Sequence, residues 1–331
     1  MCALEAEEGF AKNLAGRRIF YRIGGKGPFA LVMPVNWGMD SFLYATGLSP
    51  LEFYLALITF DPRGVGRSDP VQTSDEFALE TTAEDAAAVA DALLLDRTVV
   101  FGHSSGGAVA LTYALRFPRR VSHLILVATA ESWRDEDRAA DVPYPRTEEE
   151  MRDQFRTSIR SAVSDPSRVV SAMDLLIPKM RFSPERFRWT GEVEWDRYDL
   201  RDRLRAIRVP TLIVHGREDR IVPVERGRNS SGACRSPASS SSRGAVTGLS
   251  SNADASSSPP SRPSSDSKPP AHVGPLGREV QGIWERSILL GDHVRAKGAP
   301  SLRTPLGKGS HRRRSLREDP VPRTDDPAVG L

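Results

Sequence analysis

Cysteine is nearly absent: among 331 residues only Cys2 and Cys234 carry thiols. Two cysteines exclude a disulfide-stapled scaffold and a Cys-rich metal site. No run of 18 apolar residues occurs, which excludes a membrane-spanning helix. The opening stretch "MCALEAEEGF" is acidic and lacks the apolar centre of a signal peptide, so a cytoplasmic protein is expected. A strong charge excess is also missing, since the net charge is +3. Even that small surplus is unevenly placed. Residues 229–331 hold 15 basic and 9 acidic side chains, leaving 31 basic and 34 acidic in the first 228. The basic balance therefore belongs to the tail and gives no reason to expect nucleic acid as a partner of the folded part.

What the first 228 residues do contain is alternation. Apolar, β-rich runs lie at Arg17–Ile23, Phe29–Val35, Ala56–Phe60, Thr98–Phe101, His123–Ala128 and Thr211–His215. Helical periodicity fills Thr82–Leu95 and Ser105–Phe117. Such alternation predicts an α/β fold, a mostly parallel sheet with helices on both faces. The stretch 131–199 interrupts it with charged, helix-period sequence and several prolines, and reads as a helical cap inserted after a strand. The expected division is a core of 1–130 and 200–228 around the cap. Residues 229–331 are rich in Ser and Pro and aperiodic; that composition predicts a disordered tail.

The chemistry concentrates at "VVFGHSSGGAVALTYA", Val99–Ala114. Gly102-His103-Ser104-Ser105-Gly106 fits G-x-S-x-G, after an apolar strand and before a helix. A sharp strand-to-helix turn leaves one side chain projecting at its tip in a strained backbone conformation. Ser104 is the candidate nucleophile. The N–H of Ser105, at the start of the helix, is a candidate donor to the oxyanion formed when Ser104 attacks a carbonyl. A glycine-rich turn without chemistry would carry the same letters. A phosphate loop is excluded, because neither G-K-[ST] nor G-x-G-x-x-G is present. His103 and His215 read as packing residues. Asp219, just past the strand Thr211–His215, stands where a triad carboxylate follows the serine in chain order. Glu131 is a weaker candidate for that role.

With these motifs in view, the chain from about Phe10 to Arg228 resembles the α/β-hydrolase superfamily in its lidded branch. "DPRGVGRSD" (Asp61–Asp69) is similar to the family's D-x-R-G-x-G-x-S turn, "GHSSGG" to its elbow and "HGREDRIVPVE" to its acid loop. The turn and the cap resemble proline iminopeptidases and related small-substrate hydrolases, although Ser105 stands where those peptidases commonly carry tryptophan. The resemblance implies hydrolysis of an ester, amide or related acyl bond of a small molecule, without metal or organic cofactor. Asp61, Arg63, Gly64 and Gly66 are expected to be structural. A second oxyanion donor is implied after the third strand, where "MPVNWGMD" puts Pro34 in place of the usual histidine. By alignment the donor is the N–H of Asn36, with Trp37 as the other possibility. Trp37 also stands where it could line the substrate pocket. Cap carboxylates at Glu148–Glu150, Glu192 and Glu194 could hold a substrate amine or be ordinary helix-surface charges.

The resemblance also implies a histidine base some 25–30 residues beyond Asp219, and none is there; the next is His272, within a Pro-rich segment. Back-translation of the stretch after Arg228 with GC-rich codons, read one base out of step, permits four consecutive valines and then E-G-C-G-H-W. That histidine falls at about Thr247, 28 positions past Asp219. A frame change near Arg228 is therefore expected, with the last strand and the base lost. Without the base, a non-catalytic ligand binder on the same fold is the alternative to a hydrolase.

Overall fold

The computed structural model of the protein describes residues 6–133, 143–162, 173–217, 219, 221–233 and 246–249, all within the first of two units, Met1–Arg295. Eight strands form one sheet in the order β1-β2-β4-β3-β5-β6-β7-β8. They are β1 Glu7–Lys12, β2 Arg18–Gly24, β3 Phe29–Val32, β4 Ala56–Phe60, β5 Thr98–His103, β6 Val121–Val127, β7 Thr211–Gly216 and β8 Val246–Leu249. β1 and β2 are antiparallel to their neighbours, and every pairing from β4 across to β8 is parallel.

The side-chain period of two sorts each strand between two cores. Leu31, Ile58, Phe60 and Val100 face one cluster with α2 (Leu79–Ala92) and α3 (Ser105–Arg116). Ala30, Val32, Leu57 and Phe101 face the other, with Tyr44 of α1 (Phe42–Gly47) and the cap residues Met151, Ile177, Met180 and Phe182. All five residues of β4 are buried, which is why that strand reads as an unbroken apolar run.

The Asp61–Asp69 turn is structural. Gly64 and Gly66 have φ of +74° and +61°. Arg63 grips Asp85 of α2 through Nε and Nη2 at 2.9 and 2.6 Å, and Asp61 accepts from the amides of Ser41 and Arg67.

Between β6 and β7 the chain leaves the sheet, and a bridge pairs Ser132 with Asp199 where it departs and returns. The described part of this excursion holds α4 (Glu148–Ala162), a helix at Pro184–Trp189 and a π-turn at Thr190–Glu194.

Two features were not anticipated. β1 is one, because "EEGFAK" sets only Phe10 and Ala11 as apolar residues between charged ends and shows no alternation; it is an edge strand that sets Phe10 against Phe20. The other is the reach of the helix Val224–Ala233 past Arg228 and the pairing of β8 with β7, Val246 opposite Ile213. The remainder of 229–331 lies outside the described residues, as do His272, His293 and His311. No helix among the described residues is long and apolar enough to cross a membrane.

Candidate active site

In this sheet the chain passes from β3 to β4 on one side and to β5 on the other. The crevice beyond the strand ends at such a reversal is where α/β proteins place their sites. Ser104 sits there, between the last residue of β5 and the first of α3. Its φ is +51° and its ψ −128°, a conformation that costs a non-glycine residue about 1–3 kcal/mol. Three hydrogen bonds hold it. Its N–H donates to Val127 O at 2.9 Å, and its C=O accepts from Gly107 N–H at 2.9 Å and from the Thr129 hydroxyl at 2.7 Å. The glycines around it are required by close approach. A Cβ on Gly102 would lie 2.6 Å from Gly106 O, and one on Gly106 would lie 2.8 Å from Met33 O.

Asp219 follows β7. Its Oδ1 accepts from the backbone N–H groups of Ile221 and Val222, both at 2.9 Å. Its Oδ2 is 3.8 Å from His215 Nε2, beyond hydrogen-bonding distance, and accepts no hydrogen bond from any described residue. One oxygen is thus anchored, and the other has no hydrogen-bond partner among the described residues. Glu218, its sequence neighbour, lies outside the described residues. β5 and β7 flank β6 in register, so the two loops are two strand spacings apart, roughly 10 Å.

Neither nearby histidine is placed as a base. His215 is fully buried and donates from Nε2 to Val222 O at 2.7 Å. His103 Nδ1 is 2.8 Å from the Tyr44 hydroxyl. Burial pushes the His103 imidazole down to about 4, with His215 adding to the shift and Asp219 opposing it. Burial also raises the Tyr44 hydroxyl above its ordinary range. Glu131 is buried and faces the last helix, accepting from Ser230 at 3.3 Å.

The loop after β3 carries the expected oxyanion residues. The N–H of Asn36 is already donated to Ser105 Oγ at 3.0 Å, and Asn36 is fully buried. Two of its other polar groups are held from the cap: Oδ1 accepts from Arg186 Nη2 at 2.5 Å, and its C=O accepts from the Thr190 hydroxyl at 2.8 Å, while Nδ2 has no hydrogen-bond partner among the described residues. Trp37 is half-buried, edge-on to Phe187 with ring centroids 6.3 Å apart. The cap carboxylates are largely committed to the protein. Glu148 bonds Arg152, Glu150 bonds the Arg146 amide, and Glu194 is buried and accepts from the Leu79 amide; Glu192 is exposed. Sequence reasoning missed Arg186 and Thr190, whose letters carry no motif.

This geometry agrees with a sequence comparison: the model of the alpha/beta hydrolase fold family matches residues 48–240. The chain belongs to that family. It is an α/β-fold hydrolase by descent, similar to the 2-hydroxy-6-oxo-2,4-heptadienoate hydrolase of Pseudomonas putida. The two are 30% identical over 215 residues, 61% of this chain and 76% of the relative. The pimeloyl-[acyl-carrier protein] methyl ester esterase of Vibrio campbellii is 29% identical over 220 residues, covering 61% and 80%. Among solved structures, an alpha/beta fold family hydrolase from Bacillus anthracis superimposes with a TM-score of 0.61 at 18% identity. That superposition covers 74% of this chain and 91% of the other, a likeness of fold.

Proposed function

We propose that the hydrolase is of the serine type and cleaves an ester or related acyl bond of a small substrate. Ser104 is the nucleophile, Asp219 orients the base, and the Ser105 N–H is one oxyanion donor. The observation that carries this reading is the backbone of Ser104, with φ +51° at the tip of a strand–helix turn. Strain of that kind persists only when surrounding bonds enforce it, and here three do. Asp219 Oδ2, without a hydrogen-bond partner among the described residues, adds support, since it is the oxygen that would accept from an imidazole. A relative named as a methyl ester esterase supports the class of bond.

In this mechanism Ser104 Oγ attacks the acyl carbon and its proton passes to the base. The leaving group departs with that proton, and water then cleaves the acyl-enzyme. The base is the missing part, and we attribute its loss to a change of reading frame near Arg228. The engaged positions of His103 and His215 favour, as a second reading, a fold that binds its ligand without turnover.

The test is an assay of two chains, the present one and one with the frame restored, on short p-nitrophenyl esters and proline p-nitroanilide. Labelling of Ser104 by a fluorophosphonate is followed in parallel. The restored chain should turn over one substrate class and label, and its Ser104→Ala variant should do neither. The present chain should be slower by about four to six orders of magnitude. Equal, Ser104-dependent rates in both chains would mean that another residue is the base. Ligand binding without turnover in either would favour the second reading.

A further inference from the structure

Among the described residues the N–H groups of Val35, Trp37 and Gly38, in the loop after β3, donate no hydrogen bond. A trans peptide points its C=O and N–H in opposite directions. The Pro34 carbonyl lies against the first turn of α3, 3.2 Å from where a Gly106 Cβ would be. The Val35 N–H therefore points away from the elbow. In the next unit but one the carbonyl of Asn36 is taken by Thr190 of the cap at 2.8 Å, which turns the Trp37 N–H to the side opposite Thr190.

The same residue is clamped from two further directions. Arg186, fully buried on the cap helix, bonds Asn36 Oδ1 and reaches through to the Thr82 hydroxyl of α2 at 2.6 Å and to the Arg63 carbonyl at 3.1 Å. Ser105, the neighbour of the nucleophile, holds the Asn36 N–H. A guanidinium with no exposure is costly unless its donors are satisfied; both Nη groups of Arg186 are bonded, and its Nε has no hydrogen-bond partner among the described residues. Placing the guanidinium here ties cap, core turn and α2 to a single asparagine.

We propose that Thr190 and Arg186 are positioning residues that aim the Trp37 N–H at the Ser104 oxyanion, so that this amide is the second donor and cap docking completes the hole. The inference rests on the serine-hydrolase reading. Asn36 does not donate to substrate; it is the bracket. The cap thereby does more than cover the substrate, because a cap displaced from Asn36 leaves the Asn36–Trp37 peptide free to rotate and the hole one donor short.

Phenylboronic acid tests this without a catalytic base. Its boron bonds Ser104 Oγ, the serine proton passes to buffer, and the tetrahedral boronate carries the negative charge that the hole must bind. Affinity is measured by titration, and the Trp37 amide is followed by 1H–15N resonance. Ser104→Ala should abolish adduct formation, and the Trp37 amide should shift in the wild-type adduct. Thr190→Val should weaken binding about 10-fold, less than the 10²–10³ typical of deleting a donor outright, because the amide is loosened and not removed. Thr190→Ser, which keeps the hydroxyl, should restore affinity to within about twofold. A Ser104-dependent adduct that is indifferent to Thr190→Val, or that shifts Val35 and leaves Trp37 unmoved, overturns the proposal alone. Binding that survives Ser104→Ala, or no adduct at all, overturns the serine-hydrolase reading and this proposal with it. Should Thr190→Val fail to fold, the wild-type Trp37 shift and the Thr190→Ser variant still decide.

Discussion

The backbone N–H of Asn36 donates to Ser105 Oγ at 3.0 Å, joining the loop after β3 to the first turn of α3. The bond is buried and links positions 69 residues apart in sequence. It makes the second serine of the elbow a structural partner of the loop as well as a source of an N–H. Ser105→Ala should therefore leave a buried donor unpaired and cost about 1–3 kcal/mol, read as a lower urea midpoint at unchanged slope. An unchanged midpoint would show that water or a shifted loop satisfies Asn36.

Gly102 has no room for a side chain: an added Cβ would meet Gly106 O, the Ala110 side chain and Gly107 Cα at 2.6 to 2.7 Å. The obstacles are mostly backbone and cannot swing aside. Gly102→Ala should destabilise the fold by about 1–3 kcal/mol or more, through forced separation of β5 from α3. Thermal unfolding measures this, and a variant as stable as the parent would mean that the elbow is looser than described.

Asp85 is fully buried and bonded by Arg63 and by Asn13. Arg63→Met removes the charge partner and leaves the carboxylate stranded, at a cost of about 3–5 kcal/mol. Arg63→Met/Asp85→Leu should recover much of that loss, because removal of both charges also removes the desolvation penalty. Denaturant melts of the single and double variants give the comparison.

Glu194 links the cap to the N–H of Leu79, and burial, with Glu80 adding to it, raises its carboxyl to about 7. Asp40 accepts from the Arg181 amide of the cap, and burial together with Asp61 raises it to about 6. Both folded-state values exceed the unfolded ones, so the folded chain holds these protons more tightly. Their contribution to stability is fully present below about pH 4 and is lost as pH rises through 6 to 7. Glu194→Gln and Asp40→Asn should each flatten that decline, measured as the urea midpoint between pH 4.5 and 8. A slope unaltered in both variants would assign it to other groups.

In the proposed mechanism Asp219 acts through a base, so its effect depends on that base being present. In the present chain Asp219→Ala should leave residual, Ser104-dependent ester turnover within about threefold, whereas in the frame-restored chain Asp219→Asn should lower turnover by about 10⁴. A large loss in the present chain would show that Asp219 already orients a base there, and kinetics on p-nitrophenyl acetate distinguish the two.

Much of this architecture is written locally. The parallel strands, α2 and α3 are apolar runs and helical repeats that sequence periodicity exposes, because each must bury its own faces. The glycines of the Asp61–Asp69 turn and of the elbow announce positions where backbone or close packing forbids a side chain. Ser104 and Asp219 could be placed from sequence, because the apolar runs of β5 and β7 end just before them, and the structure puts one at the β5–α3 joint and the other in the loop after β7. β1 was not legible, since an edge strand with one wet face has little apolar signal. The extension of the last helix past Arg228 was hidden by its Ser and Gly content.

Tertiary structure alone decided the oxyanion loop. From sequence, Asn36 and Trp37 are adjacent amides of equal promise. Their roles separate only when Ser105 takes one N–H and Thr190, 154 positions away, takes the carbonyl between them. A buried arginine on a cap helix has no local signature, because its partners Asn36, Thr82 and the Arg63 carbonyl come from three distant elements. Local periodicity determines which segments fold and where Ser104 projects. Which amides of the loop after β3 are engaged depends on hydrogen bonds that form only with the cap docked on the core.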